Sequence, residues 1–125
     1  MAGQLTIDTL KAGSGVFATQ NAMTGICQGW VAINGSSGAS PTIRASFNVS
    51  SVTRTGTGQY TVTLTTALAD TNYVILCTIQ QSGTNNNQRV YQSSTVTKTS
   101  SVYGIACDDS ASYSDYSNVY TAVFR

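Results

Sequence analysis

The chain has 125 residues, of which only 9% are charged, and its formal net charge is +1. This length suits one domain with a core of its own. Its six lysines and arginines are scattered, whereas nucleic-acid binding needs grouped cations, so we expect no nucleic-acid partner. Histidine is absent, which excludes Ser-His-Asp and Cys-His catalysis and imidazole-bound metals. We therefore expect no enzyme activity, no cofactor and no metal.

The first 25 residues show little alternation of apolar and polar side chains. They contain four glycines and short apolar pairs, such as Leu5 with Ile7 and Val16 with Phe17. This pattern predicts an extended N-terminal arm over residues 1–25, with one short strand near residues 15–19. Such an arm would attach the protein to others or exchange between subunits. The alternative is a first strand and a frayed terminus of the same domain.

Residues 26–125 alternate regularly between apolar and polar positions, and glycine-rich or asparagine-rich turns separate the runs. Period-two runs bounded by such turns indicate antiparallel strands, because successive side chains point to opposite faces of a sheet. We predict a domain over residues 26–125 that is an all-β antiparallel sandwich, jelly-roll-like, with about seven to eight strands. The expected strands cover residues 26–33, 42–53, 58–66, 72–81, 87–98, 101–107 and 117–124.

Threonine dominates the positions opposite the apolar ones in several of these runs. Examples are the set Thr61, Thr63 and Thr65 and the set Ser93, Thr95 and Thr97. Such faces suit solvent or a neighbouring subunit. Residues 65–70 are the one segment where we expect a helical turn.

Cysteines and aspartates give weak signals for a site. The three cysteines, Cys27, Cys77 and Cys107, are odd in number and lack the spacing of a disulfide scaffold, so we expect small buried thiols. Cys77 and Cys107 could nevertheless be neighbours across a sheet.

Residues 108–115 contain three aspartates that could hold Ca²⁺. Because the spacing lacks a pivoting glycine, we favour a solvated loop. Asp70 is expected to close a local turn.

Tyrosines and amides collect late in the chain. Flat rings beside amide and guanidinium donors can hold a sugar ring or make an adaptable protein contact. The alternative is that these are strand tyrosines with hydroxyls at the rim of a sheet. Trp30 is expected to pack in the core or at a subunit interface. The predicted ligand-binding residues are Asn85, Asn86, Asn87, Arg89, Tyr91, Tyr113 and Tyr116.

No stretch reaches the ~20 consecutive apolar residues of a membrane helix, so membrane insertion is not expected. The N-terminal residues also lack the basic-then-apolar layout of a secretion signal. We expect the product to stay in a cytoplasm until assembly or lysis.

Several short motifs, in their order along the chain, resemble a known module. They are Trp30-Val31, Asn34-Gly35, Phe47-Asn48-Val49-Ser50-Ser51, Gly56-Thr57-Gly58-Gln59-Tyr60-Thr61-Val62, Ala69-Asp70-Thr71-Asn72-Tyr73 and the closing run from Tyr116 to Phe124. Their order and spacing resemble a β-rich module found near the C-terminal end of tailed-bacteriophage tail-fibre and receptor-binding proteins. The resemblance covers residue 26 to the end and includes no catalytic signature.

The resemblance implies a structural protein of the virion, assembled in the host cytoplasm as a homotrimer and exposed on the particle. Contact with host cell-surface polysaccharide would follow, at the residues named above. The alternative is a capsid decoration, or cement, protein that clamps shell subunits through residues 1–25. A free carbohydrate-binding protein is a third reading.

Overall fold

A computed structural model describes residues 9–12, 15–18, 26–38, 40–80, 87–110 and 112–125. Within these ranges there are ten strands and no helix, and so no helix that could span a membrane. The strands are β1 (Thr9–Ala12), β2 (Gly15–Ala18), β3 (Cys27–Asn34), β4 (Thr42–Phe47), β5 (Val49–Gly56), β6 (Gln59–Leu64), β7 (Val74–Ile79), β8 (Arg89–Gln92), β9 (Val102–Asp108) and β10 (Val119–Phe124).

Eight of these strands form two four-stranded antiparallel sheets. Sheet I has the order β4-β3-β10-β7, and sheet II has the order β5-β6-β9-β8. The predicted all-β antiparallel sandwich is therefore confirmed. The consecutive strands β3–β4 and β5–β6 pair as hairpins, whereas β10 returns from the end of the chain to the middle of sheet I.

Apolar side chains of the two sheets form one core. Sheet I contributes Val31, Ile33, Val119 and Val123, and sheet II contributes Tyr60, Val62, Leu64, Tyr103, Ile105 and Cys107. Each fully buried aliphatic or aromatic side chain stabilises the fold by roughly 1.5–3 kcal/mol relative to exposure. The predicted alternation at Tyr60, Val62 and Leu64 thus marks the inner face of β6.

The predicted strand over residues 42–53 is divided at Asn48, between β4 in sheet I and β5 in sheet II. Asn48 adopts a positive φ of 54°, in the left-handed region that asparagine tolerates better than most residues. Its side-chain amide donates to the carbonyls of Gln28 (2.8 Å) and Thr66 (3.1 Å) and accepts from the Thr66 N–H (2.7 Å). Asn48 therefore fixes the corner at which the chain passes between the sheets.

The predicted strand over residues 87–98 is wrong beyond Gln92, where β8 ends. Ser93 is buried, and its N–H donates to the carbonyl of Gly104 at 2.9 Å. Val96 lies against Gly104 so closely that a Cβ there would meet the Val96 Cβ at 2.6 Å. The segment after β8 therefore covers the outer side of β9, and Ser93, Thr95 and Thr97 do not form a strand face. The helical turn expected over residues 65–70 does not form either.

β1 and β2 pair with each other in a two-stranded antiparallel sheet. The short strand expected near residues 15–19 is β2, and β1 adds a partner strand that the sequence pattern did not indicate. The rest of the predicted arm lies outside the described residues.

The three cysteines are free thiols. Cys27 and Cys77 lie on strands of sheet I, whereas Cys107 lies on β9 of sheet II, so Cys77 and Cys107 are not neighbours within a sheet. Cys107 is fully buried, and this burial raises its pKa to about 12. Cys107 therefore behaves as a small apolar core residue, while Cys27 and Cys77 are only partly buried.

Candidate functional site

Three of the predicted ligand-binding residues meet at one end of sheet II. Arg89 and Tyr91 lie two positions apart on β8 and therefore share a face. The register of β8 with β9 places Asp108 opposite Arg89, and an isolated bridge brings Tyr113 back to Asp108. The resulting polar cleft is lined by Tyr91, Asp108, Ser110, Ser112 and Tyr113 and has a volume of about 360 Å³.

Asp108 holds the polar cleft together. Its carboxylate accepts from Arg89 Nε at 2.7 Å, from the Tyr91 hydroxyl at 2.9 Å and from the Ser110 N–H at 3.2 Å. The hydrogen bond from Arg89 is the main reason that the pKa of Asp108 is lowered. In return, the hydrogen bond to Asp108 raises the pKa of Tyr91 to about 12. At neutral pH the cleft therefore contains a fixed carboxylate, Asp108, and an un-ionised phenol, Tyr91.

Tyr91 and Tyr113 keep 40% and 44% of their surface exposed, so both rings are open to a ligand. Exposed aromatic faces beside hydroxyls and a carboxylate are the groups that bind neutral polar rings such as sugars. Asp108, Ser110 and Ser112 complete this set, and the sequence pattern did not single them out as ligand-binding residues. The signal that could have found Asp108 is its cross-strand position opposite Arg89.

The other predicted site residues fall elsewhere. Tyr116 is only 5% exposed, and its hydroxyl donates to the Asp108 carbonyl at 3.0 Å, so its ring belongs to the core rather than to the binding surface. Asn87 lies at an exposed position before β8 and does not line the polar cleft. Asn85 and Asn86 lie outside the described residues.

Asp115 stabilises a turn and does not line the polar cleft. Its carboxylate forms an ion pair with Arg54 at 2.7 Å and accepts from the Gly58 N–H and the Tyr60 hydroxyl, both at 2.7 Å. Burial opposes ionisation of Asp115, but these hydrogen bonds outweigh it and lower its pKa. Gly58 has a positive φ of 64°, and a Cβ there would meet the Cys107 carbonyl at 2.4 Å, so glycine is required at this turn. Asp115 thus fastens the β5–β6 turn.

The aspartates of residues 108–115 do not converge on one point. Among the described residues no three His, Cys, Asp or Glu side chains are grouped closely enough to hold a metal ion. Asp70 closes the local turn as predicted, since the Asn72 N–H donates to it at 2.8 Å, and it also forms an ion pair with Arg125.

A second surface is the outer face of sheet I, which the strand register resolves into two cross-strand rows. In the order β4, β3, β10, β7, row A is Phe47, Trp30, Ala122 and Leu76, and row B is Ala45, Ala32, Tyr120 and Thr78. We call rows A and B together the apolar face. None of its eight residues is charged, and Thr78 is its one small polar side chain. By contrast, Thr61 and Thr63, two of the threonines expected on an outer face, alternate with the buried side chains of β6 in sheet II, as predicted.

The apolar face exposes large side chains to solvent. Phe47, Leu76 and Trp30 are 55%, 56% and 39% exposed, and Val74 next to Leu76 is also open. Trp30 therefore does not pack in the core of this chain, and of the two roles expected for it, packing at a subunit interface remains. Between Trp30, Leu76 and Tyr120 a groove of about 350 Å³ has Ala32 and Ala122 among its lining residues. Contiguous apolar patches of this kind on folded proteins mark interaction surfaces.

Comparison of the chain with protein-family models, with curated proteins and with solved structures finds no match. The polar cleft and the apolar face are therefore the features on which a functional proposal rests, together with the sequence resemblance to fibre-end modules.

Proposed function

We propose that this protein is a non-enzymatic structural protein of a bacteriophage virion, a small β module of tail-fibre or receptor-binding type that self-associates. The observation that carries this proposal is the apolar face. A monomer would leave Trp30, Phe47 and Leu76 in water, and roughly 25 cal/mol is regained for each Å² of apolar surface that a second protein surface covers. An assembled particle provides such cover permanently.

The sandwich supports an exposed position on the particle as well. Its polar cleft lies at the end of sheet II, on different strands from the apolar face of sheet I. One surface can therefore be covered by assembly while the other stays open. We propose that the polar cleft contacts neutral host cell-surface polysaccharide, with Tyr91 and Tyr113 as flat contacts and Asp108 as a hydrogen-bond acceptor.

The capsid decoration role is the second candidate, and the β1–β2 hairpin favours it. These two strands pair with each other and not with sheet I or sheet II. A separate hairpin at the N-terminal end suits a clamp on a shell subunit, with residues 1–25 as the attachment segment.

Electron microscopy of intact particles tests both roles. Gold-labelled antibodies against the chain would be applied to particles of the virus that encodes it, with particles of an unrelated virus as the control. We expect label at the distal end of the tail. Label spread over the capsid would favour decoration, and purified particles without the chain would contradict the virion role altogether.

A further inference from the structure

The apolar face of sheet I has an arrangement of large and small side chains that goes beyond simple hydrophobicity. Row A places Ala122 between the larger Trp30 and Leu76. Row B is nearly the inverse, since Tyr120 stands among Ala45, Ala32 and Thr78. Each of the two central strands, β3 and β10, therefore carries one aromatic side chain and one alanine.

A two-fold rotation makes this face complementary to itself. When the axis runs along the strands and passes between β3 and β10, Trp30 faces Ala122 of the second copy and Tyr120 faces its Ala32. When the axis runs across the strands, between rows A and B, Trp30 faces Ala32 of the second copy and Tyr120 faces its Ala122. In both arrangements each central aromatic ring lies over an alanine.

We infer that the apolar face pairs with the same face of a second copy, as a two-fold dimer in which Trp30 and Tyr120 enter the notches at Ala32 and Ala122. This inference rests on the proposed self-association and specifies its symmetry. Sheets that pack face to face lie about 10 Å apart, which leaves room for one interdigitated layer of side chains. The groove of about 350 Å³ beside Trp30 and Tyr120 is the space that an aromatic ring from the second copy would fill.

A second copy is the occupant that this geometry favours. A two-fold interface requires a surface that is complementary to itself, and an arbitrary partner would not require that property. The absence of charge from both rows also means that pairing like with like brings no repulsion. A three-fold ring, the symmetry expected from the sequence resemblance, would instead place this face against a different surface of its neighbour.

The footprint indicates a reversible dimer. Four strands about 4.8 Å apart and six residues of about 3.3 Å each give a projected area of roughly 400 Å² per copy. Two facing copies together cover roughly 800 Å² in projection, and even with the corrugation of the side chains this is small beside the roughly 1,200–2,000 Å² that specific, stable interfaces bury in total. We therefore expect dissociation at micromolar concentrations.

Sedimentation equilibrium across micromolar concentrations tests the inference on the full chain. We expect a reversible transition between the 13.1 kDa chain and a species of twice that mass. A species of three times the chain mass would overturn the two-fold pairing but leave the proposed self-association standing. A full chain that stays monomeric at all concentrations would contradict both the two-fold pairing and the proposed self-association. This holds even if the chain dimerises once residues 1–25 are removed, because residues 1–25 would then be what covers the apolar face.

Ala122→Leu separates notch packing from non-specific adhesion. This substitution adds apolar surface but fills the notch, so we expect the affinity of the dimer to fall at least tenfold. Leu76→Ser, at an exposed position, should also weaken the dimer without disturbing the fold. Thr63→Leu, on the outer side of sheet II, is the matched control and should leave the dimer unchanged. If Ala122→Leu left the dimer unchanged, as Thr63→Leu should, or tightened it, the specific pairing would be wrong.

Discussion

Tyr113 is the residue of the polar cleft that can be changed with least effect on the fold, because it is well exposed and lies outside the two large sheets. We expect Tyr113→Ala to weaken binding to host polysaccharide roughly tenfold, since an aromatic contact contributes about 0.5–1.5 kcal/mol beyond its buried area. Tyr113→Phe keeps the ring and should keep most of the affinity. Binding of the isolated protein to extracted host polysaccharide, measured by calorimetry, checks both variants. Equal binding by Tyr113→Ala and the unchanged protein would contradict the cleft assignment.

Carboxylates at three turns make the stability of the fold sensitive to acid. The Arg125 guanidinium lowers the pKa of Asp70 to about 2, and the pKa values of Asp108 and Asp115 are also lowered. Because the folded-state values are below the unfolded ones, their contribution is complete above about pH 4 and is lost as the pH falls towards 2.

Urea unfolding between pH 7 and pH 2 measures this loss. We expect a midpoint that is constant near neutrality and falls steeply below about pH 4. Asp70→Asn keeps an acceptor for the Asn72 N–H but removes the ion pair with Arg125, so it should make the acid loss shallower. A midpoint that stays level down to pH 2 would show that these carboxylates do not stabilise the fold.

At the scale of the element, the corner at Asn48 joins the two sheets through one side chain. Asn48→Ala should destabilise the protein by about 2–3 kcal/mol, because it strains a left-handed backbone and removes three side-chain hydrogen bonds. Asn48→Gly relieves the backbone strain but not the lost hydrogen bonds, so it should be intermediate. Thermal or urea unfolding ranks the three proteins. If alanine and glycine proved equal, the left-handed conformation would not contribute.

The strands were predictable from sequence where only one face is apolar. In β6, Tyr60, Val62 and Leu64 alternate with polar residues, and the inner face follows at once. In sheet I both faces are apolar, as at Val74, Ile75 and Leu76, so alternation cannot tell which side faces the core. The apolar face therefore emerges only when register aligns Trp30 with Ala122 across strands.

The polar cleft was predictable only in part, for a related reason. Tyr113 and Tyr116 lie in the same polar loop, and nothing in their neighbours distinguishes an exposed ring from a buried one. Their exposure depends on how the loop pairs with the rest of the fold. Tyr113 forms a bridge with Asp108 and stays exposed, whereas the Tyr116 ring enters the core. The left-handed corner at Asn48 was missed since apolar positions continue through it from Phe47 to Val49.

At the scale of the whole molecule, all eight strands of the sandwich lie between Cys27 and Phe124. Deleting residues 1–25 should therefore leave the sandwich folded, with an unfolding midpoint close to that of the full chain. The same deletion should abolish incorporation into particles, since this segment is the proposed attachment element. Circular dichroism and particle composition give the two readouts. A truncated chain that fails to fold would place the segment within the sandwich instead.

The central claim is that the apolar face is covered by assembly, and Trp30 reports on it directly because it is the single tryptophan of the chain. Its side chain is about two-fifths exposed in the isolated subunit. Fluorescence emission should be followed while the full chain is diluted from micromolar to nanomolar concentrations. We predict a shift of the emission maximum to longer wavelength on dilution, as Trp30 returns to water, and a smaller shift in the Leu76→Ser protein, whose dimer is weaker. An emission maximum that does not change with concentration in the unaltered protein would contradict the claim.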